Sequence, residues 1–121
     1  MRFPEDNLQK NVAKYLDLLG LMWCHVANER KTSHQAGKRL KAKGVKSGVP
    51  DCLIFTPVDH YKGMALELKI KPNKPTRNQK KWLLELSILG WYCDVAYSFD
   101  EAQEKIDKYL KSMSDPKQWV R

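Results

Sequence analysis

The sequence predicts an α/β fold in the order α-β-β-β-α-β-α, a mixed central sheet flanked by helices. Three observations carry this. Leu8, Val12, Tyr15, Leu16 and Leu19 recur at three- and four-residue steps, the spacing of one helix face. Gly63 to Ile70 alternates, with Met64, Leu66, Leu68 and Ile70 on one side and Ala65, Glu67 and Lys69 on the other, which is the period of a strand. Thr76 with Gln79, and Ser98 with Glu101, have the Ser/Thr-x-x-Glu/Gln spacing that opens a helix.

The elements follow in order. The first helix covers residues 5–19, begins near Pro4, Glu5 and Asp6, and stops at Gly20. Leu21 to Ala27 is a short apolar run and reads as a strand. A basic loop follows over residues 28–49. Asp51 to Thr56 is strand-like, Pro57 to Lys62 supplies turn residues, and Gly63 to Ile70 completes an antiparallel hairpin. After the polar stretch 71–75, Thr76 opens a helix with Trp82, Leu83, Leu86 and Leu89 on its apolar face, ended by Gly90. Trp91 to Tyr97 is the next strand, and a crossover from Ile70 through the helix makes these two strands parallel. The last helix buries Ala102, Ile106, Tyr109 and Leu110, and the tail 114–121 is expected to fray. With 121 residues and no repeat, the chain is expected to be one domain over 1–121.

Composition narrows the function classes. No apolar run approaches the ~20 residues that cross a bilayer, and Met1 to Asn7 lacks the apolar stretch of a signal peptide, so a cytoplasmic protein is expected. Cys24, Cys52 and Cys93 are odd in number and fall in predicted strands, which suits small buried residues better than a disulfide framework. His25, His34 and His60 have no zinc-like spacing with them. Trp23, Trp82 and Trp91 are expected in the core. Lys and Arg number 22 against 14 Asp and Glu, for a net charge of +8, which favours a polyanionic partner. Arg30, Lys31, Lys38, Arg39, Lys41, Lys43 and Lys46 form a run with no acidic residue, and Lys69, Lys71, Lys74, Arg77, Lys80 and Lys81 form a second. Neither lies opposite an apolar helix face, so a nucleic acid is favoured over a membrane surface.

Between these clusters lies the candidate chemistry. Glu67 and Lys69 are two apart in a strand and project from one face. That pattern also fits an exposed ion pair of little weight. What changes the reading is Asp51, which follows Pro50 at the start of the preceding strand, where a hairpin can bring it opposite Glu67. Two carboxylates with nearby backbone carbonyls suit Mg²⁺ or Mn²⁺, and an adjacent lysine could orient water and offset phosphate charge.

Gly48-Val-Pro-Asp51 followed by Glu67-Leu-Lys69, with the acidic residues sixteen apart, resembles the PD-(D/E)xK nuclease superfamily. With Glu5 and Gln9 in the first helix, Asn28 after the first strand, Gln79 in the next helix and Tyr97-Ser98 after the last strand, the chain is similar to a stand-alone VRR-NUC domain. That type is frequent in bacteriophage genomes, which would place it in the host cytoplasm. The resemblance implies a restriction-endonuclease-like core and metal-dependent phosphodiester hydrolysis. Asp51, Glu67 and the Leu68 carbonyl would hold Mg²⁺ or Mn²⁺, and Lys69 would act on the attacking water and the scissile phosphate. Glu5 would hold a water of the ion, and Gln79 would orient the site, although helix capping explains Gln79 equally well. Arg30, Lys31, Lys38, Arg39, Lys41, Lys43, Lys46, Lys74 and Arg77 would contact DNA. Cutting two strands needs two sites, so a homodimer similar to Holliday junction resolvases is expected. A nicking or restriction-like endonuclease without junction preference, and a non-catalytic nucleic-acid-binding module, are the alternatives.

Overall fold

The structure is a computed structural model and describes residues 4–27 and 33–112. Its elements are α1 (Pro4–Leu18), β1 (Trp23–His25), α2 (His34–Ala42), β2 (Cys52–Ile54), β3 (Met64–Leu68), α3 (Arg77–Ile88), β4 (Tyr92–Ala96) and α4 (Phe99–Lys111). The four strands form one sheet in the order β1-β2-β3-β4. Both expected pairings are present: β2 and β3 are antiparallel, and β3 and β4, joined by the α3 crossover, are parallel.

Helix α1 ends as its sequence requires. Gly20 takes a positive φ of 71°, and the Leu21 N–H reaches back to the Leu16 carbonyl at 3.3 Å. Leu8, Val12 and Leu16 are buried, together with Ala102, Ile106, Tyr109 and Leu110 of α4, against Cys52, Ile54, Met64, Leu66 and Leu68 of the sheet. Tyr109 is tied into this core by donating to the Thr56 carbonyl at 2.7 Å. Strand β3 lies between two neighbours and is buried along its whole length. The alternation of Gly63–Ile70 therefore separates two covered faces, not a covered face from a wet one. Glu67 and Lys69 are buried with it, at 2% and 8% exposure.

Several expectations need correction. The basic segment is not loop throughout, because residues 34–42 form α2. Ser33 caps it by accepting the Ala36 N–H at 3.0 Å, and lysine, arginine, leucine and alanine are good helix formers. No residue of α2 is buried, so local propensity holds it and apolar periodicity could not reveal it. In α3 the apolar face is Trp82, Leu83 and Leu86, all half-buried, whereas Leu89 is 61% exposed, as is Leu84, and Ile88 is 71% exposed. The three tryptophans Trp23, Trp82 and Trp91 are half-buried and lie at the margin of the core. Cys24 is exposed on edge strand β1 and Cys93 half-buried, leaving Cys52 as the one fully buried cysteine of the three. Leu19 lies beyond α1 and is 37% exposed. The Ser98 cap forms as expected, but Glu101 reaches one residue further back, accepting the Tyr97 N–H at 3.0 Å. Asn28, Arg30, Lys31 and the tail from Ser114 lie outside the described residues.

The turn before Asp51 is shaped by Gly48. Its φ is +90°, and a Cβ there would lie 2.7 Å from the Asn78 carbonyl carbon in the first turn of α3. Asn78 also donates its side-chain amide to Ser47 Oγ at 2.9 Å. The segment leading to Asp51 and the N-terminus of α3 are thus packed backbone against backbone. Gly48→Ala is expected to destabilise the fold by about 1–3 kcal/mol from backbone strain, with steric conflict added to it. Urea unfolding of the variant beside the parent chain measures this.

Candidate active site

The register of β2 and β3 sets the site. Cys52 pairs with Leu66, so Asp51 stands next along the ladder beside Glu67, and Pro50 beside Leu68. Proline has no N–H to give the Leu68 carbonyl, and regular pairing ends there. The Leu68 N–H is taken instead by the Asp51 side chain, whose Oδ2 accepts it at 2.8 Å. The Asp51 carbonyl is held from the other side by the Val26 N–H at 2.8 Å, and His25 Nδ1 lies 2.9 Å from the same oxygen. Asp51 is thereby fixed through both its main chain and its carboxylate.

Glu67 projects from β3 beside it. Its Oε2 lies 3.5 Å from Lys69 Nζ, and both side chains are nearly removed from solvent, at 2% and 10% exposure. Its other oxygen, Oε1, is buried with no hydrogen-bond partner. An unpartnered buried carboxylate oxygen is costly. The cost appears in its titration: burial first, and then the neighbouring Asp51 charge, push the Glu67 carboxyl up to about 8, although Lys69 opposes both. Burial also raises Asp51, against the Leu68 hydrogen bond and the His25 and Lys69 charges, while Glu5 adds to the rise.

The first helix approaches the same place. Glu5 is exposed in the first turn of α1, and its charge acts on Asp51. One turn later, Gln9 donates to Cys52 Sγ at 3.7 Å. Burial drives the Cys52 thiol up to about 12, so it serves as packing and not as a nucleophile. Gln79 forms the capping box with Thr76: its N–H donates to Thr76 Oγ1 at 3.2 Å and its Oε1 accepts the Thr76 N–H at 2.8 Å. Lys38, Arg39 and Lys41 lie exposed on α2, and Lys43, Lys46, Lys74 and Arg77 are exposed outside it or at the start of α3. The part of His25 in this site had no signal in the sequence, because it follows from strand register and not from any spacing.

Among the described residues, no three His, Cys, Asp or Glu side chains gather closely enough to hold an ion by themselves. Two carboxylates completed by main-chain oxygen and water are nevertheless a donor set that Mg²⁺ takes. The residues present fit such an ion in one specific respect. A cation between Asp51 and Glu67 would give the stranded Oε1 a partner and let both carboxylates stay ionised.

The comparisons agree with this architecture. The profile of the VRR-NUC domain matches residues 3–100, and the chain belongs to that family. A solved structure described as a VRR_NUC domain protein is similar with a TM-score of 0.73 and 26% identity, over 93% of each chain. Another, described as a VRR_NUC domain, shares the fold with a TM-score of 0.60 and 23% identity, over 89% of this chain and 99% of its own. No curated protein matches. The chain therefore has a nuclease-type fold, with nucleic acid as the class of substrate.

The buried Glu67 carboxyl has a consequence for stability. Without a cation, the folded chain keeps its proton up to about pH 8, whereas the ordinary value is 4.5. The folded state therefore binds more protons across that window, and stability falls as pH rises through it. Glu67→Gln is expected to flatten the slope and to stabilise the metal-free protein at pH 8 by on the order of 1–3 kcal/mol. Urea unfolding in EDTA between pH 5 and 8.5 reads the difference; parallel slopes for both chains would contradict the burial argument.

Proposed function

We propose that this chain is a divalent-metal-dependent DNA endonuclease that hydrolyses phosphodiester bonds at the Asp51–Glu67–Lys69 site. The observation that carries the reading is the buried, unpartnered Glu67 Oε1 beside Asp51, with an ammonium 3.5 Å from the other Glu67 oxygen. A non-catalytic binding module has no use for so costly an arrangement.

Asp51, Glu67 and the Leu68 carbonyl would hold Mg²⁺ or Mn²⁺. When bound, the ion would supply Lewis-acid stabilisation of the phosphate and ease deprotonation of water. The chain's own residues do the rest. Lys69, positioned by Glu67, donates to a phosphate oxygen or to the attacking water and offsets the charge that develops there. Burial around Glu67 and Lys69 keeps bulk water from weakening these interactions. Glu5, exposed at the α1 end of the site, can orient a water through its carboxylate. Gln79 has its Oε1 committed to capping, which leaves its amide nitrogen to donate to the nucleic acid backbone. The exposed cations of α2, with those around the start of α3, neutralise phosphates without reading base sequence. That suits recognition of DNA shape by a homodimer acting on four-way junctions, two cuts requiring two such sites.

Asp51→Asn or Glu67→Gln is expected to lower Mn²⁺-dependent cleavage by at least about 100-fold while DNA binding persists. EDTA should abolish the activity of the parent chain. Equal cleavage of a four-way junction and of linear duplex with the same arms would remove the junction preference but leave the nuclease. Replacing Lys38, Arg39 and Lys41 together with alanine should reduce the slope of log affinity against log salt by up to about 3, one unit per lost phosphate contact. An unchanged slope would take α2 out of the DNA interface.

A further inference from the structure

We infer that His25 is a positioning residue for Asp51, acting through a hydrogen bond to the Asp51 main-chain carbonyl. This inference rests on the metal-dependent reading of the site and assigns His25 a part that the motif residues do not include.

The argument starts from the bond itself. His25 Nδ1 lies 2.9 Å from the Asp51 carbonyl oxygen. A carbonyl oxygen can only accept, so Nδ1 carries the hydrogen and donates it. The same oxygen also accepts the Val26 N–H at 2.8 Å. Two donors from the consecutive residues His25 and Val26 therefore grip one peptide group, at the place where pairing with β3 ends because Pro50 has no N–H. The Asp51 side chain leaves that same residue to reach the Leu68 N–H at 2.8 Å on the neighbouring strand. The Val26 bond sets the distance between β1 and the Asp51 peptide. The imidazole bond, a second restraint on the same oxygen, limits rotation of that peptide, and rotation there would swing the carboxylate away from Glu67.

The position of His25 fits this role. It is the last residue of β1, and among the described residues no further strand lies beyond β1 in the sheet to hold that end in register. Its ring is exposed, so it fills no place in the core and is not required for packing. With Nδ1 committed to Asp51, a neutral ring turns Nε2, a bare acceptor, away from the carbonyl. Nδ1 thus serves positioning, whereas any direct contact with substrate would run through Nε2. The two nitrogens can be separated by substitution. Asparagine places an amide N–H near the Nδ1 position, glutamine places one near Nε2, and alanine has neither.

The test is Mn²⁺ binding by calorimetry to the 121-residue chain and to its His25→Ala, His25→Asn and His25→Gln variants, with cleavage measured at saturating and limiting Mn²⁺. His25→Ala is expected to weaken Mn²⁺ binding by about 10-fold, as loss of a partner that orients a ligand does. Cleavage at saturating Mn²⁺ should stay close to that of the parent, and the melting temperature should barely move. His25→Asn should restore the Mn²⁺ affinity and His25→Gln should not. Rescue by glutamine but not asparagine, or an Mn²⁺ affinity unchanged in His25→Ala, would overturn the inference while leaving the metal-dependent reading intact. A parent chain that binds no Mn²⁺ would remove that reading and this inference with it.

Discussion

The structure depends on the hydrogen bond between the Leu68 N–H and the Asp51 carboxylate. Ordinarily an interior strand gives its amides to the carbonyls of its neighbour. Here Pro50 stands just before the neighbouring strand, so the ladder cannot continue, and a side chain takes over one of its partners. The bond joins the end of β2 to the end of β3 and brings the two carboxylates into one buried space. In electrostatic terms the result is unfavourable without a counter-charge, as the rise of Glu67 shows. Lys69 supplies part of that charge and a divalent ion can supply the remainder.

The surrounding fold tolerates this cost because the rest of the molecule is well packed. Helices α1 and α4 cover the sheet with Leu8, Val12, Leu16, Ala102, Ile106, Tyr109 and Leu110, and β3 is buried throughout. The polar site lies toward one end of β2 and β3, where Glu67 stands between the core residues Leu66 and Leu68. The start of α1 brings the Glu5 charge to bear on Asp51, and the start of α3 packs against Gly48, three residues before Asp51. Helix beginnings suit such a place, since their free N–H groups and positive dipole ends favour a polyanion.

The exposed parts have a different character. Helix α2 has no buried residue and keeps its shape through local propensity and one serine cap. A basic element with no fully buried residue can follow the contour of a nucleic acid backbone with little disturbance to the core. The apolar residues Leu84 and Ile88 on α3, and Leu89 at its end, are likewise exposed. They show that amphipathic spacing alone does not say which side of a helix the protein buries.

Much was legible in the sequence itself. Helix spacing, capping boxes, Gly20 and the alternation around Glu67 are local signals, each set by backbone geometry within a few residues. They specified the order of every element except α2, together with the antiparallel and parallel pairings, and with the Pro-Asp and Glu-Leu-Lys motifs they pointed to the nuclease family. Three things belonged to tertiary structure alone. Burial of Glu67 and Lys69 depended on β3 lying between two strands and under cover on both faces, which alternation cannot express. The exposure of Cys24 and Leu89 depended on which strand forms the edge and how α3 rolls onto β4. The meeting of His25 with Asp51 depended on register between strands 26 residues apart. Local sequence determines what a segment prefers to be, whereas dielectric environment and long-range register exist only once the segments have packed.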